Sequence, residues 1–408
     1  MTICVCGNDV SGYCPGTDRC DEAKRRMGLK DAPEKIDHNY LHEQFADLKD
    51  AILYEMRGIV GRGDFTLGKE VALFEQEFAS MVGVKHAIGV GNGTDAIFLA
   101  LKALGVKKGY GTVITTPYSF YATPSMIVAA GANVTFVDVD RGFNIDPRKI
   151  EAAITPATIG IVPVHWAGRP CKMRDILAIA KENGLWVLED CAHAPDSTYH
   201  GRKCGSFGAL GTFSLHPLKN VNVWGDGGVI TTDDDVKAEW LRKARNHGMS
   251  DRNTCEFWGW NSRLDTIQAA VARRVLKGIE HTTATRRKNA DMLNRMLVNI
   301  NEIQVPIDAQ DTAQNYYLYS IHAEKRDALQ KFLVSHGVDA KVHYPVPLHR
   351  QPAAKSLGPQ FQAGFPMADW CAETTLSLPV HEWVTPDQLQ RMASLVRMFY
   401  EGYANAIL

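Results

Sequence analysis

The chain of 408 residues lacks an excess of charge of either sign: 45 Lys and Arg stand against 46 Asp and Glu, a formal net charge of −1. A near-neutral surface offers no general attraction to nucleic acid or anionic lipid, so neither is expected as a partner. No apolar run approaches the roughly 20 residues needed to cross a bilayer. The opening Met1-Thr2-Ile3-Cys4-Val5-Cys6 has no basic stretch followed by an apolar one, so no signal peptide is expected and cytoplasmic residence is the default. Also missing are a G-x-S-x-G elbow and a His pair at zinc-hydrolase spacing, which disfavours serine and metal hydrolysis.

Cysteine is present, but not as a framework. The count of nine is odd, and Cys171, Cys191, Cys204, Cys255 and Cys371 are scattered through the body of the chain, as expected of reduced thiols. The other four crowd near the start: Cys4, Cys6, Cys14 and Cys20. Four thiolates could hold zinc. Their C-x-C-x7-C-x5-C spacing has no paired C-x2-C knuckles, so the segment is read as a leader and no metal is expected.

A chain of this length exceeds one compact core. It divides into an extension at 1–36, a large unit at 37–265, and a linking helix with a smaller unit at 266–408. Leu41, Phe45, Leu48, Ile52, Leu53 and Met56 recur at helical spacing, and a second helix is expected from Lys69 to Val82. A strand at His86–Val90 leads through Gly91-Asn92-Gly93-Thr94-Asp95 to a helical run, Ala96–Leu104. Strand, Gly-rich turn and helix aim free backbone N–H groups at an anion, although a plain helix cap reads the same way. The turn lacks the Lys of a P-loop and the spacing of a dinucleotide fingerprint, so nucleoside triphosphate and NAD are poorly supported.

Further strands are expected at Thr112–Thr116, Val134–Asp138, Ile159–Val164, Trp186–Glu189 and Gly228–Thr232, alternating with helices. That alternation describes an α/β fold with a large, mainly parallel sheet. A long helical pattern then runs from Leu264 to Arg287, followed by strands at Tyr316–Ile321 and Val342–Tyr344 and a closing helix, Pro386–Tyr403. Gly93, Phe120, His165, Asp190 and Lys219 all follow predicted strands, where ligands of such sheets collect.

Each candidate also has a bland reading. Lys219, in Ser214-Leu215-His216-Pro217-Leu218-Lys219-Asn220, is either a Schiff-base amine or a solvated loop lysine. Asp190 at a strand end is either the partner of a pyridinium nitrogen or a helix cap or ion pair. His193 either bonds a ring hydroxyl or phosphate or caps a helix. Phe120 either stacks on a flat ring or joins the core. His216 and Pro217 shape the turn.

Five motifs in order carry a resemblance: Gly93-Thr94-Asp95-Ala96, Thr116-Pro117-Tyr118-Ser119-Phe120, Glu189-Asp190-Cys191-Ala192-His193-Ala194, Ser214 to Asn220, and Gly259-Trp260-Asn261-Ser262-Arg263-Leu264-Asp265. From about Asp37 to the C-terminus the chain resembles the DegT/DnrJ/EryC1/StrS family of sugar aminotransferases, dependent on pyridoxal 5′-phosphate. The resemblance implies the aspartate-aminotransferase fold (fold type I), with a smaller C-terminal α/β domain and a homodimer sharing its active sites. It makes Lys219 the Schiff-base lysine and proton shuttle, and Asp190 the partner of the pyridine nitrogen. Gly93, Thr94, Asp95 and Ser214 hold the phosphate, Phe120 stacks on the ring, and Asn261 reaches the phosphate from the other subunit. His193 stands where relatives often have Gln.

The implied reaction moves an amino group, with glutamate as the expected donor, to a keto sugar on a nucleotide carrier. Asn261-Ser262-Arg263-Leu264-Asp265 looks more like members acting on 3-keto than on 4-keto sugars. A keto-cyclitol or keto-sugar phosphate is the alternative substrate, and a non-catalytic regulatory protein that binds the cofactor is the alternative class. The Cys-rich leader and Trp224 depart from the family pattern.

Overall fold

The computed structural model describes residues 35–309, 311–357 and 364–407. Cys4, Cys6, Cys14 and Cys20 lie outside the described residues, and with them the question of zinc. The chain begins its described course with Ile36, fully buried among residues of the C-terminal part. Helix α1 (Leu41–Arg62) and helix α2 (Lys69–Val82) follow, each closed by a glycine at positive φ, Gly63 and Gly83, the ordinary way to end a helix without a Cβ penalty.

Strand β1 (His86–Val90) then passes into helix α3 (Gly93–Ala103). The helix starts three residues before the expected Ala96, because the Asn92 side chain accepts from the Asp95 N–H at 2.8 Å and caps the turn. Next come β2 (Thr112–Thr115), α4 (Ala122–Ala130), β3 (Asn133–Phe136), β4 (Thr158–Ile161), α5 (Met173–Glu182) and β5 (Trp186–Asp190). Pro147–Lys149 and Glu151–Ala153 form a pair of 3-10 turns. A small hairpin of β6 (Thr198–Tyr199) and β7 (Arg202–Lys203) precedes β8 (Leu210–Ser214) and β9 (Gly228–Thr232).

Seven strands form the main sheet in the order β1-β9-β8-β5-β4-β2-β3. β9 runs antiparallel to both β1 and β8, and the remaining pairs are parallel. Two reversals restore direction, so every strand except β9 points the same way. The carboxyl ends of β1, β2, β5 and β8 therefore share one edge of the sheet. The strands are apolar on both faces, with Ile88, Val113, Ile161, Leu188 and Ile230 fully buried, as a sheet covered by helices on both sides requires. Each such side chain contributes about 1.5–3 kcal/mol on burial.

After α6 (Asp235–Ala244), the helical pattern expected as one element is two, α7 (Thr266–Leu276) and α8 (Ile279–Leu297), with Lys277 and Gly278 between them; glycine is a poor helix former at that point. α8 leads into a second core, in which Leu293, Leu297, Tyr319, Ile321, Leu333, Leu376 and Met392 cluster with Ile36. Its sheet contains β10 (Ile303–Gln304), β12 (Tyr319–Ala323) and β13 (Thr375–Leu378), while β11 (Thr312–Ala313) joins the β6–β7 hairpin. Helices α9 (Arg326–Ser335), α10 (Pro366–Thr374) and α11 (Pro386–Ile407) complete the order.

The strand expected at Val342–Tyr344 does not form. Lys341 makes a lone bridge to Ser377, and Pro345 and Pro347, which have no N–H to give a ladder, follow at once. Among the described residues no helix is long and apolar enough to cross a membrane. The five cysteines of the body are free, four of them buried and Cys255 exposed.

Candidate active site

Lys219 lies on an irregular loop behind β8 that is pinned from several sides. Its N–H donates to the His216 carbonyl at 2.8 Å, and the Leu218 N–H donates to Nδ1 of His216 at 3.3 Å. His216 is thus turn geometry, as its place beside Pro217 suggested. Asn222 donates to the Pro217 carbonyl and to Oε1 of Gln44 on α1, at 2.7 and 2.8 Å, and the Tyr40 hydroxyl donates to the Lys219 carbonyl at 3.4 Å. The half-buried Nζ sits 3.4 Å from the Tyr317 hydroxyl and 4.5 Å from the centre of its ring. Burial lowers the lysine's pKa from its ordinary value to about 8, and the charge of Asp190 opposes that fall. A bland solvated lysine would show none of this.

Asp190 closes β5 and is buried. Its Oδ1 accepts from the Ala192 N–H at 3.1 Å and its Oδ2 from the Thr123 hydroxyl at 2.8 Å. Burial pushes its pKa up; Thr123, then the Ala192 N–H, then Lys219 push back. The neighbouring Glu189 faces the other way. It accepts from His165 Nε2 at 3.0 Å and from the N–H groups of Gly205, Phe207 and Gly208 at 2.9, 2.7 and 2.8 Å. His165 is fully buried in that pairing, and its Nδ1 takes the Cys171 N–H. So His165, one of the five residues expected to converge, is turned into the core behind Asp190 and leaves the site.

His193 is buried, and its ring lies 4.3 Å from that of Tyr317, nearly parallel. The Ala167 N–H donates to its Nδ1 at 3.2 Å, and burial lowers its pKa well below the ordinary value. The ring is therefore neutral with its proton on Nε2, which makes Nε2 a donor. Phe120 stands at the mouth, 51% exposed, with Tyr121 and Tyr344 at 5.2 and 6.2 Å between ring centres. The loop opposite it is tied down by Tyr118, whose hydroxyl donates to the His343 carbonyl at 2.7 Å and accepts from the Tyr344 N–H at 2.9 Å.

At the β1 edge, Gly93 and Thr94 open α3, so their N–H groups precede its ladder and stand at the positive end of the helix. A Cβ on Gly93 would lie 2.6 Å from Cβ of Ser214, and one on Gly228 would lie 2.3 Å from the Asn92 carbonyl oxygen. The two glycines let the helix end press directly against the end of β8 and the start of β9, which puts the Ser214 hydroxyl beside the first turn. Asp95 has a different task. Its carboxylate accepts from the Ser262 hydroxyl at 2.7 Å, and that same oxygen accepts from the Gly91 N–H at 3.0 Å. Asp95 is thereby turned toward Ser262. Asn261, next to Ser262, is exposed.

The lysine, the carboxylate and the helix end thus meet at one edge of the sheet, with His193, Ser214 and Phe120. Beyond Tyr317 a cavity of about 680 Å³ opens between Tyr40, Leu218, Arg286, His343 and His381. Sequence reasoning missed Thr123, Tyr317, Tyr40 and Ser262, whose partners lie 67, 98, 179 and 167 residues away. Nothing local in the sequence marks such pairings.

The site fits pyridoxal phosphate on these observations: an amine of lowered pKa, a buried carboxylate at a strand end, and a helix N-terminus held against a serine by two glycines. Fold and site define a pyridoxal-phosphate-dependent aminotransferase of the aspartate-aminotransferase type. The family model of the DegT/DnrJ/EryC1/StrS aminotransferases matches residues 46–397. A pleiotropic regulatory protein of Geobacillus stearothermophilus is 40% identical over 89% of this chain and 98% of its own length. The UDP-N-acetyl-3-dehydro-alpha-D-glucosamine 3-aminotransferase of Acidithiobacillus ferrooxidans is 36% identical, covering 89% and 97%. The crystal structure of Streptomyces venezuelae DesV in complex with a ketimine intermediate superposes with a TM-score of 0.87 at 34% identity, covering 90% of this chain and 98% of that one. The chain belongs to the DegT/DnrJ/EryC1/StrS aminotransferase family.

Proposed function

We propose that this aminotransferase moves an amino group from glutamate to a 3-keto sugar carried on a nucleotide. The observation that carries the reading is the meeting of Lys219, Asp190 and the Gly93–Ser214 contact at one sheet edge. The substrate class is supported by relatives named for 3-amino nucleotide sugars: the Acidithiobacillus enzyme and the dTDP-3-amino-3,4,6-trideoxy-alpha-D-glucose transaminase of Streptomyces venezuelae, the latter 35% identical over 88% of this chain.

Pyridoxal phosphate supplies the carbonyl that takes up the amine and a cationic ring that draws electrons from the substrate's Cα. The chain supplies the rest. Lys219 would be the attachment point, and its amine the base that moves the proton at the amino donor's Cα. Asp190 holds the ring nitrogen in its protonated form. The N–H groups of Gly93 and Thr94 and the Ser214 hydroxyl hold the phosphate, while Asp95 steadies the turn through Ser262. His193 would donate from Nε2 to the cofactor, and Phe120 would stack on its ring. Asn261, exposed in the single chain, reaches the phosphate of a second copy in a homodimer.

The name of the Geobacillus relative raises a regulatory reading. An amine with its pKa brought down to about 8 opposite a buried carboxylate is catalytic equipment that such a role does not need. The test is to load the protein with pyridoxamine phosphate and offer nucleotide-linked 3-keto sugars, 4-keto sugars, keto-cyclitols and keto-sugar phosphates. Return of the aldehyde absorbance with the 3-keto nucleotide sugars alone is expected; return with a cyclitol alone, or with none, contradicts the reading.

A further inference from the structure

The hydrogen bonds behind Asp190 continue past the carboxylate. Thr123, on α4, is fully buried and donates to Oδ2 of Asp190 at 2.8 Å. Ser119, four residues earlier on the turn that also presents Phe120, lies with its hydroxyl 3.2 Å from that of Thr123. A hydroxyl has one proton to give. An ionised Asp190 can only accept, so the Thr123 proton is committed to it. The bond between the two hydroxyls then has one direction, from Ser119 to Thr123. Dipoles aligned in series toward a buried anion strengthen one another.

The geometry also fixes the carboxylate in space. Oδ1 is held by the Ala192 N–H of its own loop and Oδ2 by Thr123 from a different element. Two donors on two oxygens set the plane of the group and leave each oxygen one lone pair for a further partner. We propose that Ser119 and Thr123 form a two-hydroxyl relay that positions Asp190 and holds it ionised toward a cationic ring nitrogen, with Thr123 as the positioning residue. The inference rests on the proposed pairing of Asp190 with that nitrogen. Burial opposes ionisation of Asp190, and Thr123 is the largest of the influences that oppose burial.

The test compares Thr123→Val, which keeps shape and loses the donor, with Thr123→Ser, which keeps the donor, and with Ser119→Ala. For each holoenzyme the dissociation constant of pyridoxal phosphate and the pH titration of its absorbance are measured beside the thermal midpoint. Thr123→Val is expected to weaken cofactor binding by about 10-fold or more, the scale of a hydrogen bond to a charged group, and to shift the absorbance titration. Thr123→Ser is expected to restore both, and Ser119→Ala to move both in the direction of Thr123→Val by a smaller factor. If Thr123→Val lowers only the thermal midpoint, or Thr123→Ser gives no rescue, the relay is wrong and the hydroxyls merely hold the turn. Should Thr123→Val fail to fold, Ser119→Ala carries the decision through the same two readouts. Asp190→Asn separates the levels: if it disturbs binding and absorbance while the hydroxyl variants do not, only the relay fails. If Asp190→Asn also leaves them unchanged, the pairing with the ring nitrogen fails with it.

Discussion

Lys219 and Glu189 show how differently two charged residues at one end of the sheet are used. The lysine is held among Tyr317, Asp190 and the Tyr40 contact, and burial brings its pKa to about 8. Its amine is free above that pH, whereas an ordinary lysine keeps its proton to about 10.4. Covalent uptake of pyridoxal phosphate by the apo-protein should therefore accelerate with pH and level off just above 8; a rise continuing toward pH 10 in stopped-flow absorbance would contradict the lowered value. The sign for stability follows from the same shift. Between about pH 8 and the unfolded value, the unfolded chain keeps a proton that the folded chain has released, so the contribution of this lysine to stability rises with pH across that window. Glu189 is a structural tie, its two oxygens taking four donors, His165 Nε2 and three backbone N–H groups. Glu189→Ala would leave those donors buried and unpaired and should cost about 3 kcal/mol or more in a denaturant melt.

At the scale of elements, the β1–α3 junction depends on two close approaches. Gly93→Ala would put a methyl group 2.6 Å from Cβ of Ser214, so the helix must draw back from β8. A loss of about 1–3 kcal/mol in stability is expected, together with weaker binding of inorganic phosphate to the apo-protein, measured by calorimetry. Unchanged phosphate binding would show that the helix end is not the cradle. The strand-turn-helix at 86–103 was legible because its signals are local: an apolar run, two glycines and a capping Asn. β1, β9 and α2 stand where the apolar pattern placed them. The small sheet was not legible in the same way. Its β13, Thr375–Leu378, is only four residues long and follows directly on α10, which ends at Thr374, so no turn residues set it off from the helix. The Val342–Tyr344 stretch reads as a strand, but the prolines that follow it end the ladder. Gly278 divides a helical pattern that periodicity alone carries straight through.

At the scale of the molecule, the sheet edge was legible as a place and not as a set of contacts. Strand ends could be counted along the sequence, and Gly93, Phe120, Asp190 and Lys219 do gather there. The direction of a side chain at a strand end is set by partners far away in the chain, which is why His165 turns to Glu189 and Asp95 to Ser262. Asn261 belongs to this scale as well. If it reaches the phosphate of a second copy, then mixing subunits of Lys219→Ala with subunits of Asn261→Ala should rebuild intact sites in half of the hybrid dimers' positions. About a quarter of wild-type activity would return at equal, random mixing. No recovery, with hybrid dimers demonstrated by native mass spectrometry, would place Asn261 in its own subunit's site.

The most direct measurement concerns the lysine itself. Purified protein loaded with pyridoxal phosphate is reduced with borohydride, digested, and mapped by mass spectrometry. A single adduct on the peptide holding Ser214 to Asn220, at Lys219, is the expected result, with its loss in Lys219→Ala. An adduct fixed at any other lysine, or a yellow protein in which nothing is trapped, would contradict the assignment of this site.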